Sequence, residues 1–187
     1  MLGGMVGGRS EHPELWAFLE SMRPSTRLTG TVAAIERFGV FVALDDGPAH
    51  PIFPGVGFIT MPELSWRRFE RASDIVHVGQ SVACTFIRFD TWNLEARLSL
   101  RATQPDPFRT FADSAELGQA LTGPVTKIVL IGAFVQVADG VEGLVPAGDF
   151  VHSQADVVEE VVQVGDELSV VVADIDRGLR RLRLNLR

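Results

Sequence analysis

A chain of 187 residues with 46% hydrophobic content is long and apolar enough for one or two folded domains, and its composition is not that of a disordered protein. Its net charge of −7, from 24 acidic and 17 basic residues, excludes a grip on nucleic acid by bulk charge but leaves room for a local basic groove. One cysteine, Cys84, excludes an internal disulfide, and no apolar run is long enough for a membrane-spanning helix.

The elements follow in chain order. Residues 1–10 are glycine-rich and expected to be disordered, and Met1–Met5 has neither the charged nor the apolar part of a secretory signal, so a cytoplasmic location is expected. Residues 13–22 read as a helix, with Pro13 at its first position and Leu15, Trp16, Leu19 and Met22 on one stripe. Strands are expected at 28–36, 39–45, 57–60, 82–90 and 95–101. In the first block Val40, Val42 and Leu44 alternate with Phe41 and Ala43, which puts the aliphatic set inward and Phe41 outward. Cys84 reads as a small buried filler, and Trp16 as a packing residue. Residues 102–120 form a linker. There Pro105 and Pro107 interrupt the chain, and Phe108, Phe111, Ala112 and Ala115 suggest a short helix. Five more strands are expected at 121–130, 132–138, 143–146, 168–176 and 180–187, and a helical segment is expected between the third and fourth strands of each set.

The second set repeats the first. Leu28-Thr29-Gly30-Thr31-Val32 returns as Leu121-Thr122-Gly123-Pro124-Val125, and Phe38-Gly39-Val40-Phe41-Val42 as Ile131-Gly132-Ala133-Phe134-Val135. Residues 57–101 align without gaps on 143–187, ending in Arg97–Arg101 and Arg183–Arg187. One length differs: Asp45–Val56 has twelve residues where Ala138–Glu142 has five, and the longer loop carries Pro48, Pro51, Phe53 and Pro54. The domains are therefore 1–27 as start and lead-in helix, 28–101, a 102–120 linker, and 121–187. Five short, sharply bent strands and a helical segment per copy describe an all-β protein of two tandem OB-fold barrels, each preceded by a short helix.

These residues resemble the RNA-binding domain of the ribosomal protein S1 type. The resemblance rests on Gly30-Thr31-Val32, Phe38-Gly39-Val40-Phe41-Val42, Gly57-Phe58-Ile59, Val78-Gly79-Gln80, Phe89-Asp90 and Arg97-Leu98-Ser99, with their counterparts in the second copy. Glu63–Arg68 and Pro107–Ala112 are similar to segments of the bacterial ribosomal protein repeats. The resemblance implies single-stranded RNA bound across a barrel face, with bases stacked on aromatics and phosphates met by basic side chains. In the first copy it points to Phe38, Phe41 and Asp90, with Trp92 as an added stacking surface, while strand alternation puts Arg97 and Arg101 on the outer face. In the second the resemblance points to Lys127, Phe134, Asp176 and Arg181, and Arg180, Arg181 and Arg183 together offer a phosphate-contacting edge. Thr60 and Pro146 stand where the family has histidine, Ile131 where it has an aromatic, and Glu95 where it has arginine.

The first copy keeps both aromatics and is expected to be the main RNA reader. The second has ten acidic and six basic residues against eight and seven in the first, and it could instead dock a protein. Arginines on the last strand also fit a merely solvated face, and Trp66 fits either an RNA contact or a cap on the barrel. His12, His50, His77 and His152 are scattered, no catalytic or metal-ligating cluster is evident, and Asp45-Asp46 before Gly47 reads as a turn. The expectation is a non-catalytic RNA-binding protein without a cofactor, associated with mRNA or the ribosome, or with an RNA-processing protein.

Overall fold

The computed structural model describes residues 9–150 and 158–187. The expected disorder at 1–8, His152 and the stretch 151–157 lie outside the described residues. The chain divides into two compact units, Met1–Pro105 and Asp106–Arg187.

In the first unit, α1 (Pro13–Ser21) starts on Pro13 and buries Leu15 and Leu19, one turn apart. Trp16 meets Phe89 edge-on at 5.1 Å, a packing contact. Strands β1 (Arg27–Glu36), β2 (Gly39–Leu44), β3 (Gly57–Thr60), β4 (Ser81–Asp90) and β5 (Glu95–Ser99) close a barrel in the order β1-β2-β3-β5-β4. All neighbours are antiparallel except β3 and β5, which run parallel. The inner face holds Val32, Val40, Val42, Ile59, Cys84, Phe86 and Leu98, all buried. Burial pushes the Cys84 thiol up to about 12, so it stays a neutral apolar filler.

In the second unit, α2 (Pro107–Ser114) is capped by Asp106, whose carboxylate accepts the Phe108 and Arg109 amides. Pro107 therefore opens this helix rather than breaking it. Strands β6 (Ala120–Val129), β7 (Gly132–Ala138), β8 (Val141–Pro146), β9 (Glu167–Asp176) and β10 (Arg181–Leu186) close in the equivalent order, β6-β7-β8-β10-β9. A short helix, α3 (Val158–Val161), precedes β9.

Bulges recur at matching places. The β1–β2 register shifts between Val32 and Ala34, and the β6–β7 register between Val125 and Lys127. A one-residue insertion sharpens the twist, which lets so few strands close. The repeated glycines of β1 and β6 have a steric cause. A Cβ on Gly123 would lie 1.8 Å from the Gln136 carbonyl oxygen, and one on Gly30 would lie 2.4 Å from that of Ala43. Gly123→Ala is expected to cost at least about 2 kcal/mol, since only backbone movement relieves the clash. Thermal melts of the two proteins check this; equal midpoints would contradict it.

Three sequence expectations change. The last strand of the first unit ends at Ser99, not at residue 101, and Arg101 begins a 3₁₀ turn. The helical segment between β3 and β4 is two separate 3₁₀ turns, Met61–Glu63 and Ala72–Asp74. Trp66 lies between them and is not helical; its ring carries the Arg101 guanidinium at 4.4 Å, while Arg101 binds Glu63 through two bonds of 2.7 and 3.2 Å. Arg101 is thereby an internal clamp rather than an outward cation of the last strand.

Candidate nucleic-acid interface

Strand registers line up one row of side chains across the outside of each barrel. In the first unit Phe41 pairs with Phe58, Phe58 with Arg97, and Arg97 with Arg88. In the second, Lys127 pairs with Phe134, Phe134 with Leu144, Leu144 with Arg183, and Arg183 with Asp174. Successive strand residues face opposite sides, and the buried neighbours Val40, Val42, Ala133 and Val135 fix these rows as outward. The rows have the same origin but different surroundings.

In the first unit the aromatic end of the row is covered. Phe41 points outward, as alternation requires, yet it is only 5% exposed, so the expectation of an open stacking surface there is corrected. The cover comes from the loop between β2 and β3. Phe53 stacks on Phe41 with ring centroids 5.1 Å apart and planes 22° apart. His50 stacks on Phe53 at 4.8 Å and 26°. Phe58 closes the other side of Phe41 at 5.0 Å. Phe38, at the end of the β1–β2 turn, remains 61% exposed, and Trp92, in the β4–β5 turn, 59%.

His50 holds the loop. Its Nδ1 accepts the amides of Ile52 and Phe53, at 3.2 and 2.9 Å, so Nε2 carries the proton and donates to the Asn93 carbonyl at 2.8 Å. Burial holds this imidazole below its usual 6.5, the Asn93 bond opposes that, and His12 adds to it. Glu11 and Glu14 line the same cavity as His12 and His50. A group whose folded value is depressed contributes stability above its unfolded value and loses it as pH falls through the folded one. The loop is therefore expected to loosen on acidification below pH 6.5. A proton NMR titration should give His50 a midpoint under 6.5, and a midpoint at or above that value would contradict the neutral-imidazole hold.

One cation of this row, Arg97, is also committed. Arg97 donates to Asp90 from Nε at 3.0 Å and Nη2 at 2.5 Å, and it lies 4.8 Å over the Phe58 ring. Burial alone would raise the Asp90 carboxyl. Arg97 and the amides of Asn93 and Trp92 outweigh burial and hold it low. Asp90 thus closes the turn and anchors Arg97. Glu95, where arginine is usual in the resemblance, has a side chain only 3% exposed and 3.3 Å from Arg97 Nη2. That contact is not aligned as a hydrogen bond, and Glu95 Oε2 has no hydrogen-bond donor. Burial is the main cause that pushes this carboxyl up to about 7; Arg97 opposes it and Asp90 adds to it.

In the second unit the groove is open. Phe134, Leu144, Ile131 and Pro146 line it with Arg181 and Arg183. Phe134 is half-buried, and Lys127, Arg181 and Arg183 are exposed. Among the described residues, no acidic partner holds Arg181, Arg183 or Lys127. Asp176 closes its own turn by accepting the Leu179 amide at 2.8 Å, the counterpart of Asp90 and Asn93. Arg180 is different: it pairs with Asp106 and sits 5.1 Å over Phe108, which ties it to α2. Arg177 is similarly held by Asp113 and by the Ala112 carbonyl.

Sequence reasoning missed Phe53, Phe58 and His50. Phe58 was legible, since it alternates with the inward Ile59 on a strand that must neighbour β2. Phe53 and His50 lie in a loop with no counterpart in the second copy, and only tertiary structure shows where it folds. Among the described residues no group of three or more potential metal ligands occurs, and no helix is long and apolar enough to cross a membrane.

The chain is similar to known proteins. The family described as "S1 RNA binding domain" matches residues 23–101 and 114–187. The small ribosomal subunit protein bS1 of Mycobacterium tuberculosis is 39% identical over 171 residues, covering 91% of this chain and 34% of that protein. The bS1 homolog of Bacillus subtilis is 30% identical over 170 residues, covering 90% of this chain and 42% of its own. Among solved structures, GSP13 from Bacillus subtilis is 32% identical over 40% of this chain and 57% of its own, with a TM-score of 0.36. The chain spans about a third of the length of the mycobacterial relative.

Proposed function

The chain belongs to the S1 RNA-binding domain family, and from that premise we propose that it is a non-catalytic protein that binds single-stranded RNA across the outer barrel rows. The observation that carries this reading is the open groove of the second unit. There Phe134 offers a stacking face beside two arginines free of acidic partners. Glu142, Asp174 and Asp176 line the same groove as Arg180, Arg181 and Arg183, so phosphate contact rests on Arg181 and Arg183 individually and not on a net positive charge.

The division of labour follows from the same geometry. The paired aromatics of the first unit make it the stronger reader by composition. With Phe41 covered, that unit contacts RNA through Phe38 and Trp92 at the edges, and the second unit makes the first contact through Phe134, Lys127, Arg181 and Arg183. Association with mRNA on the small ribosomal subunit is the setting that similarity to bS1 supports.

The test is the affinity for a single-stranded oligouridylate measured against salt. Phosphate contacts release counterions, with a log–log slope of about −0.7 per contact on single strands. A Kd that weakens steeply with salt supports the reading, and no binding at low salt overturns it. A second reading, protein docking by the second unit, is favoured by Leu130, 94% exposed beside the exposed Ile131 at the β6–β7 turn. Leu130→Ser should leave RNA affinity unchanged if those side chains serve a protein partner. A loss of RNA affinity would instead place them in the RNA path.

A further inference from the structure

We propose that Phe53 occupies the position of a stacked base on Phe41, so that the first unit's RNA face is closed by its own chain and opens only when the loop is displaced. This rests on the RNA-binding reading and adds to it a built-in competitor.

The geometry of the cover is that of a ligand rather than of core packing. Phe41 faces outward on β2, and the ring upon it is stacked at 22°, whereas its contact with Phe38 is perpendicular. Flat stacking at 5.1 Å is the arrangement a base adopts on an aromatic platform. His50 continues the pile on the far side of Phe53, so three rings succeed one another as consecutive bases would. In the second unit the corresponding loop is five residues long, no ring among the described residues stacks on Phe134, and the groove is open.

The cover is also lightly held. Val56 belongs to the barrel, where its carbonyl accepts the Ala96 amide at 2.8 Å, and Gly47 closes the turn after β2 on Leu44. Between these anchors Pro48, Pro51 and Pro54 have no amide hydrogen to donate. Among the described residues, the hydrogen bonds that hold 48–54 run through His50: two amides onto Nδ1, and Nε2 onto Asn93. Displacing Phe53 therefore breaks few hydrogen bonds, and what it gives up is the packing of its ring on Phe41 and against the edge of the first unit's core. What replaces it must offer a flat π-face at one end and a negatively charged backbone toward Arg88, which is exposed on the same row. A nucleotide of single-stranded RNA meets both requirements.

The experiment uses the full chain with the second groove disabled by Phe134→Ala, Arg181→Ala and Arg183→Ala, titrated with oligouridylate at low salt. In that background Phe53→Ala should tighten binding about tenfold, in line with the value of one freed stacking position. Shortening Asp45–Val56 to the length of the second unit's loop should do the same, and adding Phe41→Ala should remove the gain. Thermal melts report whether each variant is folded, and the shortened loop serves if Phe53→Ala is not. Loop variants that bind no tighter than their background, beside a wild-type chain that binds RNA, overturn the closed-face inference alone. Absence of RNA binding by both the wild-type chain and the loop variants overturns the RNA reading and this inference together.

Discussion

Replacing Arg181 and Arg183 together by alanine is expected to weaken single-stranded RNA binding by at least about tenfold at low salt, taking about 1 kcal/mol or more for each charge-assisted contact. The side chains project outward from β10 on either side of the inward Leu182, and they flank a groove whose floor is Phe134 and Leu144. Because no acidic side chain among the described residues holds them, their charge is available to phosphate. Screening by salt reduces what an exposed cation contributes, so the loss should be largest in dilute buffer and small at high ionic strength. Two lost phosphate contacts should also flatten the salt dependence by about 1.4 in log–log slope. The matching change in the first unit, Arg97→Ala, should affect RNA less, since Arg97 is already bound to Asp90. A double variant that binds as tightly as wild type, with an unchanged slope, would remove the second groove from the RNA path.

Glu95→Gln is expected to stabilise the protein at alkaline pH by up to about 3 kcal/mol. The Glu95 carboxyl is buried and raised from 4.5 to about 7. A raised folded value means that the stability contributed by the neutral form is fully present below pH 4.5 and is lost as pH rises through about 7. Glutamine is neutral throughout, so the two proteins should be close in stability at pH 4.5 and should diverge as the pH rises through 7. Arg97 keeps its bonds to Asp90 in the variant, so no cation is left stranded. Chemical denaturation at several pH values reads this directly. A variant less stable than wild type at pH 8 would mean that Arg97 and Glu95 form a net favourable ion pair, which the poor alignment at 3.3 Å argues against.

The barrels were legible in the sequence because their causes are local. Alternation of Val40, Val42 and Ile59 with outward residues sets the strands. Pro13 sets the start of α1, whereas the close approach that demands glycine at 30 and 123, and the cap that Asp106 and Pro107 put on α2, show only in three dimensions. The site was legible only in part. Phe134 and the exposure of Phe38 follow from alternation and turn position. The cover on Phe41 does not, because Phe53 arrives from a loop whose course no periodicity encodes. Nor does the commitment of Arg97, Arg101 and Arg180, whose partners Asp90, Glu63 and Asp106 lie 7, 38 and 74 residues away in sequence. An outward arginine in a pattern is a candidate cation, and only three-dimensional pairing separates Arg181 and Arg183 from the rest. The acid at 90 and 176 has a similar lesson: its recurrence reflects closure of the β4–β5 and β9–β10 turns.

The central claim, that RNA lies across the outer barrel rows, is tested most directly by amide chemical-shift mapping of the full chain during titration with oligouridylate. The account predicts perturbations centred on Phe134, Leu144, Arg181 and Arg183 in the second unit and on Phe38 and Trp92 in the first, reduced by added salt. Perturbations confined to other surfaces, or none at saturating RNA in low salt, would contradict it.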